Sequence, residues 1–367
     1  MHYLELDTPA LLVNKPIMLA NIDQMAAKAA RAGVKLRPHT KTHRTPAIAK
    51  IQVSRGAAGI TVAKTGEAEV MLAQGLDDIF IANQIVGDKK LLRLREINRK
   101  ARLAVGVDAE AQVMALASAF RNEPKPSDVL IEIETGEERT GVQNPAEAVS
   151  LARLIARTPG VRLRGVFSHE GHTYSAVSPE QCSSQFADSQ ATTLAAAEAI
   201  RQAGLPVEEV SIGATPSLLH GEILPGITEI RPGTYVFMDA AQGQCIGDFS
   251  RCALTVLATV ISLPSPERVV VDAGVKALTS FTRPQGICNT PGYGMLKGFN
   301  GVRLKKLYDE HGIIIDPFVR ENVRIGDKIE IIPNHACPTC NLYDQIYVVE
   351  NEKVVDVWPV LGRGKSQ

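Results

Sequence analysis

The chain has 367 residues, 45% hydrophobic and 22% charged, enough for one large core and a smaller second one. Forty basic residues balance forty acidic ones, an even charge that argues against nucleic acid or an anionic membrane as the main partner. No apolar run reaches membrane-span length, and Met1-His2-Tyr3-Leu4-Glu5-Leu6-Asp7 is unlike a secretory leader. Six cysteines in so long a chain then fit a cytoplasmic protein without structural disulfides.

Short apolar or β-branched runs alternate with helix-length segments over the first two thirds. The runs fall at 35–39, 59–62, 78–82, 103–107, 129–134, 163–169, 210–213 and 227–231. Alanine-rich stretches with helical spacing lie between most of them, at 18–32, 67–73, 145–156 and 179–203, several closed by a glycine (Gly33, Gly75, Gly204). Eight strand–helix units predict a parallel (β/α)8 TIM barrel over residues 10–240. Beyond it, strand-like runs at 252–263, 268–272, 303–307, 328–333, 343–349 and 353–358 follow one another without helix-length apolar periods. They predict a smaller antiparallel β domain over 241–367, joined by residues 1–9 with a strand at Tyr3-Leu4-Glu5-Leu6.

In a barrel of this kind, functional side chains collect at the C-terminal ends of the strands. The first run delivers Arg37-Pro38-His39-Thr40-Lys41-Thr42-His43, and a lysine at a strand mouth suits Schiff-base chemistry with a carbonyl cofactor. The fifth delivers a glycine-flanked loop, Glu134 to Val142, that carries Arg139. The sixth gives Ser168-His169-Glu170-Gly171-His172-Thr173-Tyr174, with three titratable rings. The seventh, Gly213-Ala214-Thr215-Pro216, predicts a phosphate cradle: a close backbone approach, a hydroxyl and a helix start, with Tyr235 offering one more hydrogen bond. Lysine, phosphate cradle and an arginine for a pyridine nitrogen together describe pyridoxal phosphate.

In the second domain, Cys337-x-x-Cys340 invites a redox pair or half a zinc ribbon, but no second Cys-x-x-Cys follows. Read as extended backbone, His335 and Cys337 point to one face and Cys340 to the other, making His335 and Cys337 the ligand pair for an open divalent metal. Thiolate plus imidazole favours zinc, with manganese, cobalt or nickel compatible.

These segments resemble the fold-type III pyridoxal phosphate enzymes related to alanine racemase, and more narrowly the D-serine dehydratase / D-threonine aldolase family. The resemblance runs through Asp7-Thr8-Pro9-Ala10-Leu11, Arg37 to His43, Arg139-x-Gly141-Val142, His169-Glu-Gly-His172-Thr-Tyr174, Arg231-Pro-Gly-Thr-Tyr235, Asp272-Ala-Gly-Val-Lys276 and His335-Ala-Cys337. It implies that Lys41 is the Schiff-base lysine, that Arg139 meets the ring nitrogen, and that Gly213, Thr215 and Tyr235 hold the phosphate. His335 and Cys337 then hold the metal. His39, His169 and Tyr174 are further cofactor contacts, His172, His43 and Tyr174 join Lys41 in catalysis, and the assembly is a homodimer.

The activity expected is a lyase on a D-3-hydroxy amino acid. Two reactions use the same parts: elimination from D-serine or 3-hydroxyaspartate, which is the one expected here, and retro-aldol cleavage of D-threonine as the alternative. The His-x-Cys pair looks like the dehydratases, because comparable aldolases show His-x-Asp. Asn341-Leu342-Tyr343-Asp344 looks like the aldolases, and Glu137-Glu138 departs from the small residues expected in the arginine loop. A racemase would need no metal, and a non-catalytic cofactor carrier would lack the β domain.

Overall fold

A computed structural model describes Met1–Gln367. The chain forms two compact units. One gathers Met1–Gln24, Thr42–Thr45 and Thr234–Arg363; the other gathers Met25–Lys41, Pro46–Gly233 and Gly364–Gln367.

The first strand, β1 (Ala10–Asn14), belongs to the β unit. It pairs antiparallel with β10 (Leu254–Ser265) and parallel with a strand near the C-terminus. Tyr3–Glu5, expected to be the added strand, is a turn of 3-10 helix. Tyr3 packs there on a small core of Leu6, Ala10, Leu12, Leu257 and Val349.

The second unit is the barrel. Its strands are β2 (Lys35–Leu36), β3 (Ile60–Val62), β4 (Asp78–Gln84), β5 (Arg102–Val107), β6 (Ser127–Glu132), β7 (Val161–Phe167), β8 (Glu209–Ile212) and β9 (Glu229–Ile230). All pair in parallel in the order β2-β9-β8-β7-β6-β5-β4-β3, and a parallel bridge between His39 and Thr61 closes the ring. The eightfold alternation of the sequence is therefore a (β/α)8 barrel. β2 ends early because Pro38 has no N–H for a ladder. Phe80, Ala104, Leu130 and Phe167 fill the interior, with the two rings edge to face at 5.1 Å.

Close strand approach sets a testable limit. A Cβ at Gly165, opposite Glu209 in the β7–β8 pair, would collide with the Glu209 carbonyl oxygen. Gly165→Ala should cost about 3 kcal/mol of stability, read as a lowered melting temperature. A variant that melts like the wild type would mean the strands part easily there.

The β unit continues with β11 (Arg268–Val271), β12 (Met295–Leu296), β13 (Lys306–Leu307), β14 (Gly312–Ile315), β15 (Lys328–Ile332), β16 (Gln345–Glu350) and β17 (Lys353–Pro359). These join β1 and β10 in a nine-stranded, mostly antiparallel sheet. β10 runs on through Pro264, where a turn was expected, because that proline falls in an irregularity of the β10–β11 register. The run expected at 303–307 shrinks to β13, and β14 beside it carried no expectation. No helix is long and apolar enough to cross a membrane.

Candidate active site

At the barrel rim, Lys41 lies in the 3-10 turn Thr40–Thr42, with its amide 3.4 Å from His39 Nδ1. Loss of solvent around the His39 ring pushes its pKa well below the ordinary value, and the charges of Lys41, Arg231 and Arg139 push it further. His169 behaves alike. Burial, then Lys41 and Arg139, lower it to about 3, and its Nδ1 sits 2.9 Å from the Gly213 carbonyl. Two imidazoles kept neutral chiefly by burial, with the cations Lys41, Arg139 and Arg231 around them, make a rim that fits a phosphate-bearing anion.

The loop carrying Arg139 is folded by Glu134, which accepts from the Gly136 N–H at 2.5 Å and the Arg139 N–H at 3.1 Å. The Arg139 guanidinium is half exposed and reaches Glu132 at 3.5 Å. His172 packs against Gly136, and its Nδ1 is buried without an acceptor or donor. Burial lowers its pKa, partly offset by Glu134, so at neutral pH the ring is uncharged and able to take a proton. Tyr174 stands half-buried in the same turn, Gly171–Ser175.

Gly213 has φ +149°, and a Cβ there would strike the backbone of Arg231. Thr215, buried, opens the short helix Thr215–His220 behind it. Tyr235, also buried, lies in the turn Thr234–Val236, which belongs by its contacts to the β unit.

In the β unit, His335 and Cys337 come together by a different geometry from the extended backbone expected. Ala336–Cys340 is a helix with His335 at its N-cap, and Cys340 is buried within it. Asp239 organises the pair: one carboxylate oxygen accepts from Gln242 N, and the other from Ala336 N at 2.9 Å while lying 3.3 Å from His335 Nδ1. The Phe281 ring covers His335 at 4.8 Å, and the Cys337 thiol donates to Thr42 Oγ1 at 3.4 Å. Burial favours a neutral His335, but Cys337 and Asp239 hold its pKa up at about 10. A thiol, an imidazole and a carboxylate behind them make an electronegative pocket suited to a cation. No cluster of three or more His, Cys, Asp or Glu side chains is placed to hold a metal, so water or substrate would complete the shell.

His43 is fully buried, its Nδ1 accepting from the Thr45 N–H at 3.0 Å with its ring against Phe237.

Residues 13–241 match the family model described as alanine racemase, N-terminal domain, and 253–349 match the serine dehydratase domain. D-threonine aldolase of Arthrobacter sp is 32% identical over 98% of this chain and 94% of its own length. D-threo-3-hydroxyaspartate dehydratase of Delftia sp. (strain HT23) is 35% identical over 97% of both. The chain belongs to the D-serine dehydratase / D-threonine aldolase family. One solved family structure, a cysteine-to-alanine mutant of D-threo-3-hydroxyaspartate dehydratase in the metal-free form, shares 31% identity with a TM-score of 0.91 over 98% of both chains. Members of this family are pyridoxal phosphate lyases, and this chain is one.

Sequence reading assigned no role to Asp239, Arg231 or Glu170. Arg231 is buried inside the barrel, donating to Ser211 Oγ and the Ser168 carbonyl, both at 2.5 Å, beside the rings of Phe80 and Phe167. Glu170 accepts from Ser168 Oγ at 2.9 Å and Gly213 N at 3.4 Å, and its second oxygen has no partner. Burial raises its pKa to about 7, with Arg231 opposing. The native chain thus keeps a proton that an unfolded chain releases near 4.5. The native state binds more protons between those values, so this contribution is complete below 4.5 and is lost as pH rises through 7. Glu170→Gln should gain roughly 3 kcal/mol on the wild type between pH 4.5 and 8, seen as a widening gap in melting temperature of the cofactor-free chains. Parallel curves would show that Glu170 is ionised throughout.

Proposed function

We propose that this chain eliminates water from a D-3-hydroxy amino acid, D-serine or 3-hydroxyaspartate, to give a 2-oxo acid and ammonia. The observation that carries this reading is the pairing of the Cys337 thiol with the His335 imidazole, backed by Asp239. A solved relative, a cysteine-to-alanine mutant of D-threo-3-hydroxyaspartate dehydratase, is described in its metal-free form. Thiolate plus imidazole favours zinc.

Bound pyridoxal phosphate supplies the electron withdrawal that weakens bonds at the substrate Cα. Lys41 would hold it and take the α-proton. Arg139 would pair with the ring nitrogen, Gly213, Thr215 and Tyr235 would hold the phosphate, and His39, His169 and Tyr174 would fix the ring. His335 and Cys337 would hold a divalent metal, which would supply Lewis acidity for the leaving hydroxyl. The same reading makes the enzyme a homodimer of the cytoplasm, consistent with six cysteines of which none forms a disulfide.

Retro-aldol cleavage of D-threonine is the second reading, favoured by the neutral His172 ring with its unpartnered nitrogen, a base for the hydroxyl proton. Incubation with D-threonine, pyridoxal phosphate and zinc or manganese separates the two. Elimination yields 2-oxobutanoate and ammonia; glycine and acetaldehyde would make the chain an aldolase.

A further inference from the structure

A second cavity, of about 550 Å³, opens in the β unit, and no residue of the candidate active site lines it. Its walls are mainly apolar, with Phe249, Met295, Leu296, Phe299 and Ile332 among them. No Asp or Glu lines it. Two cations do, Lys297 and Arg303, and they differ in kind. Lys297 is neutralised by both carboxylate oxygens of Glu330, at 3.0 and 2.9 Å.

Arg303 has no counter-charge. Its guanidinium donates to Gln244 Oε1 at 3.2 Å and sits 5.9 Å from the centre of the Phe249 ring, and Nη1 is buried without an acceptor. Burial alone shifts its pKa, downward, with no carboxylate opposing. A buried guanidinium nitrogen is ordinarily matched by an acceptor, because taking it from water is costly without one. Here the protein supplies a size suited to a small organic ligand, apolar walls and one uncompensated cation.

We propose that this cavity binds a small organic monoanion, a carboxylate on an aromatic or branched apolar body, with the carboxylate paired to Arg303. One guanidinium matches one negative charge, so inorganic phosphate is a poor fit. The apolar walls demand a body that acetate-sized anions lack.

Calorimetric titration of the full chain, loaded with cofactor and metal, tests this with three probes: 3-phenylpropanoate, the neutral 3-phenylpropan-1-ol and inorganic phosphate. The carboxylate should saturate one site per chain, with the alcohol and phosphate weaker by roughly tenfold or more. Arg303→Gln should weaken the carboxylate by a similar factor, and Arg303→Lys should retain most of the affinity. Equal binding of alcohol and carboxylate would overturn the proposal, and that comparison needs no variant. So would equal binding to wild type and Arg303→Gln, since the ligand would then sit elsewhere. Absence of saturable binding, with Arg303→Gln instead altering self-association, would assign the cavity to a second copy of the chain and also overturn it.

Discussion

Lys41→Ala should leave a folded protein with no visible absorbance from lysine-held cofactor and a turnover reduced by roughly ten-thousandfold or more. Lys41 stands in a single turn at the rim, so its loss removes chemistry without opening the core. His39 and His169 crowd the same place and are held neutral there, leaving Lys41 as the amine of the group. Borohydride treatment of the loaded wild type should fix the cofactor on the peptide that carries Lys41, and the variant should give no such peptide. An absorbance band retained in Lys41→Ala would remove this residue from the site altogether.

On the proposed reading, Cys337→Ala should weaken divalent-metal binding roughly hundredfold or more, with activity falling alongside. The expectation rests on how little else is present: the thiol and imidazole are the only two first-line donors, and Asp239 touches the metal pair through His335 and the Ala336 amide. Asp239→Asn should therefore cost about ten- to a hundredfold in metal affinity by loosening the ring it orients. Cys340→Ser serves as the control, since that side chain is buried in the helix away from solvent. Elemental analysis after dialysis reads all three. Full metal content in Cys337→Ala would remove Cys337 from the ligand set, and turnover that survives a strong chelator would take the metal out of the reaction.

The barrel was legible because a parallel strand covered on both faces must be a short apolar run, and the helices between must show their own period. Ala10–Asn14 carried no strand expectation of its own, and only its partners, hundreds of residues away in β10 and β16, assign it to the sheet. His335 and Cys337 were paired from residue type on an extended backbone, whereas Ala336–Cys340 is a helix. Pro338 was compatible with a helix all along, because it falls in the first turn of Ala336–Cys340, where amides have no intrahelical acceptor. Asp239 carried a local signal as a capping residue before Ala-Ala-Gln. Its second role, reaching His335, is a tertiary contact that no local pattern encodes.

The fate of the α-hydrogen tests the central claim most directly. D-Threonine deuterated at Cα, turned over by the enzyme loaded with cofactor and metal, should lose its label to solvent and show a slowed rate, because elimination breaks the Cα–H bond. Glycine that retains the deuterium, formed without an isotope effect, would mean that the Cα–Cβ bond breaks instead and that the dehydratase reading is wrong.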